Sequence, residues 1–163
     1  MTSQPDKLPE NALALALKLL GIRSHSREEL ERKLRQKGFT EDIRVPVIEK
    51  LASRGLLDDR EFGIELLKSR SKRKPSGKLK LGAELRKKGV PDPVIGDLLK
   101  EIDTGELCMR AAEKKFALLR SPSEAARKKK LESFLRNRGF SWQEIREAIE
   151  RFFPGAADRE DPD

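Results

Sequence analysis

LRQKGF at residues 34–39 returns as LRKKGV at 85–90 and as LRNRGF at 135–140, and the reading of this phrase decides the fold. The three glycines, Gly38, Gly89 and Gly139, stand 51 and 50 residues apart, the range in which self-similarity marks a repeated supersecondary unit. Each copy ends a helix. Glycine tolerates the left-handed backbone just past a helix end, and the apolar residue after it can fold back onto the last turn. That geometry pairs Phe39 with Leu34, Val90 with Leu85 and Phe140 with Leu135.

Working outward, the composition suits helices. Apolar residues make up 36% of the chain and charged residues 39%; tyrosine is absent, and the aromatics are seven Phe and the single Trp142. This mix is poor in strand formers and too polar for one large core. The reading is all-α, with three tandem three-helix repeats forming an elongated, curved rod. The expected divisions are a flexible N-terminus (residues 1–9), repeat one (10–54), repeat two (55–102), repeat three (103–153) and a disordered acidic tail (154–163).

Nine helices follow from apolar spacing and cap signals. The first covers residues 10–20, with Leu13, Leu17 and Leu20 on one face, and ends at Gly21. Ser26 with Glu29 reads as a capping box for a helix through Lys37, and Thr40 caps a third, in which Pro46 implies a kink or a late start. After GLLDD, Asp58 or Asp59 caps a helix that stops before Pro75. Helices over residues 78–88 and 92–101 complete the second set. Asp103 with Glu106 opens the seventh; residues 123–138 form the eighth, and Ser141 with Glu144 opens the ninth.

Catalysis has little to stand on. His25 is the only histidine and Cys108 the only thiol, with no spacing that makes a nucleophile–base pair or a metal site, and neither a Walker loop nor a dinucleotide glycine motif is present. Asp58, Asp59 and Glu61 are the one tight acidic group that could hold a metal for nuclease chemistry. Acids at a helix start are the ordinary way to satisfy its free N–H groups, and that reading is preferred. No enzyme activity and no cofactor are expected.

Charge is the informative property. The formal net charge is +8, and residues 154–163 carry −3, so residues 1–153 hold +11. Such a body attracts polyanions, nucleic acid first and acidic protein surfaces second. The densest patch covers residues 68–80, with Lys68, Arg70, Lys72, Arg73, Lys74, Lys78 and Lys80 and no acid. Arg127, Lys128, Lys129 and Lys130 form a second run just downstream of Lys114 and Lys115. Two registers are basic in every copy, Arg35/Arg86/Arg136 and Lys37/Lys88/Arg138, which favourable contact with helix C-terminal carbonyls explains as well as phosphate binding does. Trp142 and the phenylalanines are read as core rather than as base-stacking groups, so contact with a nucleic-acid backbone is expected and sequence-specific base reading is not. A lone cysteine excludes an internal disulfide, and no signal peptide or 18-residue apolar span is found; a cytoplasmic monomer is expected.

With these residues in order, the chain resembles the RecX regulatory proteins, small all-helical modulators of the RecA recombinase. The matching phrases are residues 23–30 followed by LRQKGF, then GLLDD with Phe62 and Arg70, then Gly77 and ELRKKGV, and finally FLRNRGFS with Ile145. They span about residues 12–152. The resemblance implies three tandem three-helix repeats that bind along the groove of a RecA filament on single-stranded DNA and inhibit its ATP hydrolysis and strand exchange. It implies filament contacts at Arg70, Lys78, Lys80 and Lys88. The alternative from charge alone is a general DNA-binding repeat protein that acts without RecA. His25 and Gly63 depart from the family pattern, which usually has an aromatic and an alanine there.

Overall fold

The computed structural model describes residues 8–155; most of the expected terminal segments, residues 1–7 and 156–163, lie outside the described residues. Within that span the chain is helical, with nine helices and no strand among the described residues: α1 Pro9–Ile22, α2 Arg27–Gln36, α3 Glu41–Ser53, α4 Asp59–Arg73, α5 Lys78–Lys87, α6 Asp92–Glu101, α7 Thr104–Leu118, α8 Glu124–Asn137 and α9 Trp142–Phe152.

The three glycine turns have the expected geometry. Gly38, Gly89 and Gly139 have φ of 85°, 86° and 77°. Phe39 N–H donates to Leu34 C=O (3.2 Å), Val90 to Leu85 (3.0 Å) and Phe140 to Leu135 (3.3 Å), while each glycine N–H donates to the carbonyl three residues back. This is the Schellman arrangement, which satisfies carbonyls that the helix end would leave orphaned. A fourth copy, unforeseen, closes α3: Gly55 has φ of 71°, and Leu56 N–H reaches Leu51 C=O at 2.9 Å.

In repeat one, α1, α2 and α3 pack pairwise around Ala12, Ala16, Leu30, Leu34, Phe39, Val47, Ile48 and Leu51. In repeat three, α7, α8 and α9 do the same around Leu107, Leu131, Leu135, Ile145 and Ile149, with the Phe116 ring 5.0 Å from Phe152 and 5.4 Å from Phe153. Leu30, Leu34, Leu131 and Leu135 are fully buried. Each such leucine contributes about 1.5–3 kcal/mol, which compensates for helices too short to stand alone.

The chain divides into two compact units: residues up to Leu66 with Leu85–Leu98, and Leu67–Glu84 with the residues from Leu99 onward. Both α4 and α5 contribute to each. Inside each unit the start of one repeat's middle helix meets the glycine turn of the following repeat's middle helix. In the first unit the Ser26 hydroxyl, at the start of α2, donates to Lys88 C=O, and a Cβ on Gly89 would lie 2.7 Å from Glu28 Cβ. In the second, Gly77 N–H donates to Arg138 C=O at 2.8 Å, and a Cβ on Gly77 would fall 2.1 Å from Gly139 O.

Several local expectations need correction. The first helix runs through Gly21 to Ile22, because its last bond is closed by Arg23 N–H on Leu19 C=O. Thr40 stands at the N-cap in extended backbone, but its hydroxyl makes no cap bond. Helix α3 does not start late: it begins at Glu41 and contains Pro46, which is exposed. The α2 capping box is half made, since Ser26 accepts Glu29 N–H at 3.1 Å while the Glu29 carboxylate turns to Arg23 Nη1 at 3.0 Å. At Ser141 and Glu144 the box is complete. A Cβ on Gly63 would lie 2.4 Å from the Leu98 Cδ1 methyl, so that side-chain tip would have to shift to admit an alanine.

Candidate nucleic-acid interface

The basic stretch at residues 68–80 is the last two turns of α4, a buried Pro75–Ser76–Gly77 turn and the first turn of α5. Helix α4 ends at Arg73, and the cations in its last turn lie where the C-terminal carbonyls favour them. Lys72, Arg73, Lys74, Lys78 and Lys80 are exposed. Among the described residues no carboxylate pairs with Lys72, Lys74 or Lys78, so their charge is directed to solvent.

Several of the cations are engaged within the protein. Arg70 pairs with Glu84 of α5, and its Nε is buried without a hydrogen-bond partner among the described residues. Arg73 Nη2 donates to Ser69 Oγ at 2.7 Å, and Lys80 Nζ donates to Asn137 C=O at 3.1 Å, at the end of α8. Arg138 Nη1 donates to Pro75 C=O at 3.1 Å, and its guanidinium lies 4.7 Å from the Phe134 ring; burial lowers its pKa. Lys115 Nζ is 5.3 Å from the same ring. Lys88 is half-buried and belongs to the other compact unit, where its carbonyl receives Ser26. Of the repeated arginines, Arg86 is bound to Asp92 at 2.9 Å.

The second basic run lies on the first turns of α8. Lys129 and Lys130 are exposed, Lys128 is half-buried, and Arg127 Nε is buried with no partner among the described residues.

The groups weighed for other chemistry serve the fold. Asp58 Oδ1 caps α4 by accepting from Arg60 N–H (2.9 Å) and Glu61 N–H (3.1 Å), whereas Asp59 Oδ1 reaches away to accept Arg27 N–H at 2.8 Å. The trio does not converge, and no group of three or more His, Cys, Asp and Glu among the described residues could hold a metal ion. His25 is buried; its Nδ1 lies 2.9 Å from Arg23 C=O, and Lys33 Nζ donates to its Nε2 at 2.8 Å. A lysine has only donors, so this ring is neutral with the proton on Nδ1. Cys108 is buried, and burial, with Glu144 and Glu147 adding to it, pushes its thiol up to about 12.

Trp142 overturns a sequence reading. Expected in the core, it is 67% exposed at the first position of α9. The signal was available: aligned on the glycine turns, Trp142 falls where the other repeats have Glu41 and Asp92, both exposed. It lines an open groove of about 450 Å³ with Gln143, Arg146 and Glu147.

No described helix is long and apolar enough to cross a membrane. Models of the first, second and third three-helix domains of RecX match residues 12–51, 58–99 and 101–149. The regulatory protein RecX of Pelodictyon phaeoclathratiforme is 58% identical over 156 residues, covering 95% of this chain and 98% of the relative. That of Chlorobium limicola is 49% identical, covering 91% and 93%. The crystal structure of RecX from Lactobacillus salivarius superposes with a TM-score of 0.81 at 24% identity, covering 88% of this chain and 96% of that one, which supports the fold. With all three domain types matched in order and curated relatives covered almost end to end, the chain belongs to the RecX family of regulatory proteins.

Proposed function

We propose that this chain is a non-enzymatic regulator of homologous recombination that binds RecA filaments on single-stranded DNA and inhibits RecA ATP hydrolysis and strand exchange. It works in the cytoplasm, enters as a monomer and uses no cofactor. One observation carries the reading: within a RecX-family chain, an acid-free run ends α4 and begins α5 with Lys72, Arg73, Lys74, Lys78 and Lys80 exposed. A filament on DNA offers acidic protein surfaces and phosphates, both complementary to such a patch.

The contact set is Lys72, Arg73, Lys74 and Lys78, with Lys80, Arg127, Lys128 and Lys129 of the same compact unit. Arg70 and Lys88 act through the fold: Arg70 anchors α4 to α5 through Glu84, and the Lys88 carbonyl holds the start of α2. The deciding experiment is RecA ATPase on single-stranded DNA with and without the protein. Inhibition at or below equimolar protein is expected; an unchanged rate rejects the reading.

A further inference from the structure

The two inter-repeat junctions of this chain share a geometry but differ in charge. At the first, the glycine turn around Gly89 meets α2, whose opening residues after the cap are Arg27, Glu28 and Glu29, and the next helix opens on Asp92. At the second, the turn around Gly139 meets α5, whose opening residues are Lys78, Leu79 and Lys80, and the next helix opens on Trp142. Both acids of the middle helix are gone, and the acid at the next helix start has become an indole. Four residues on, on the same face of α9, stands Arg146, at a position held by Val45 and Gly96 in the other repeats.

We propose that the Gly139 junction is a binding site for single-stranded nucleic acid, with an unpaired base stacked on Trp142 and flanking phosphates held by Lys78, Lys80 and Arg146. Burial does not account for the indole, which is 67% exposed, nor for Leu79, which is 80% exposed. A helix start favours an acid at this position, so a tryptophan there gives up local stabilisation. Beside it an open groove of about 380 Å³ is lined by Lys78, Leu79, Gly139, Phe140, Ser141 and Glu144. Its single carboxylate is engaged: Glu144 accepts from Ser141 N–H at 2.7 Å and from the Thr104 hydroxyl. Glu147, beside Trp142, accepts from Gln143 Nε2 at 3.2 Å. Among the described residues none of Lys78, Lys80 and Arg146 is ion-paired with a carboxylate, and Lys80, which donates to the Asn137 carbonyl at 3.1 Å, keeps its charge there. A π-face bordered by cations matches a base with its phosphates, and stacking is indifferent to which base is presented. An acidic peptide would satisfy the cations but leave the indole without a flat partner.

This site deepens the nucleic-acid part of the proposed function and is tested without RecA, so the filament assay and this one can fail separately. Trp142 is the only tryptophan in the chain, so its fluorescence reports this site alone. Oligothymidylate of fifteen nucleotides is expected to quench it, whereas an abasic strand of equal length should bind without quenching. In fluorescence anisotropy, Trp142→Ala should weaken oligothymidylate binding about 5- to 150-fold and leave abasic binding unchanged, with Trp142→Phe retaining most of the affinity. Absence of quenching on binding, equal quenching by polyglutamate, or an unaltered affinity of Trp142→Ala overturns the proposal. Since Trp142 is largely solvent-exposed, the variant should fold normally, which circular dichroism verifies.

Discussion

At the scale of single residues, glycines and buried polar groups govern stability. Gly139 needs its left-handed φ, and a Cβ there would also lie 2.7 Å from the backbone nitrogen of Lys80. Gly139→Val should therefore cost at least about 2 kcal/mol, combining the conformational penalty with displacement of α5. Gly96, in the interior of α6 with nothing within 4 Å of its added Cβ, gives the opposite expectation. Gly96→Ala should stabilise by about 0.5–1 kcal/mol through helix propensity. Chemical denaturation of the two variants, differing in sign, checks both assignments. His25 has a folded pKa lowered by burial, so the unfolded chain binds its proton more readily than the folded one does. The contribution is intact above about pH 6.5 and is lost as pH falls below that value, by at most about 1.4 kcal/mol per pH unit. The denaturation midpoint of His25→Phe between pH 7.5 and 5.5 should change less than that of the wild-type chain. Iodoacetamide should leave Cys108 unmodified in the folded protein at pH 7.5, because the thiol is buried and almost wholly protonated.

At the scale of elements, the end of α4 is where charge and structure separate. Lys72, Arg73 and Lys74 are exposed, so replacing all three with glutamine should leave the melting temperature within a few degrees while abolishing most binding to RecA-coated strands. Arg70→Ala differs in kind: it leaves Glu84 without its partner and should lower stability. Comparing the two variants in melting and in filament binding separates a docking surface from a structural anchor. Helix ends were largely legible in the sequence, because caps and glycine turns are decided within about six residues; Ser26, Ser123, Asp103 and Ser141 all act as N-caps. The half-made box at Glu29 was not, because a competing partner, Arg23, decides where that carboxylate turns, and nothing in the structure explains why the Thr40 hydroxyl leaves its cap bond unmade.

At the scale of the molecule, the middle repeat is divided between the two compact units, and α4 and α5 each contribute residues to both. Binding through many cations should be salt-dependent. If six to ten phosphates are engaged, affinity for bare single-stranded DNA should fall by about 10³–10⁵ between 50 and 200 mM salt. Binding to RecA-coated strands that survives this salt range would show that protein contacts dominate. Equal, steep loss on bare and coated strands would instead favour a DNA-binding protein that acts without RecA.

The amino-acid sequence by itself determined the helical class, the count and order of the three triplets and the turn that ends each middle helix. Those features rest on apolar spacing and on hydrogen bonds between residues close in the chain, which any folded context preserves. Tertiary structure alone decided which cations remain for a partner. Arg138 is drawn to Pro75 across 63 residues, whereas Lys72, Lys74 and Lys78 stay turned to solvent and Lys80 stays exposed while reaching Asn137 across 57. It also placed Trp142 outside the core and sent Asp59 to the start of α2. Composition cannot foresee such outcomes, because a side chain's partner is set by which distant backbone group packing leaves unsatisfied beside it.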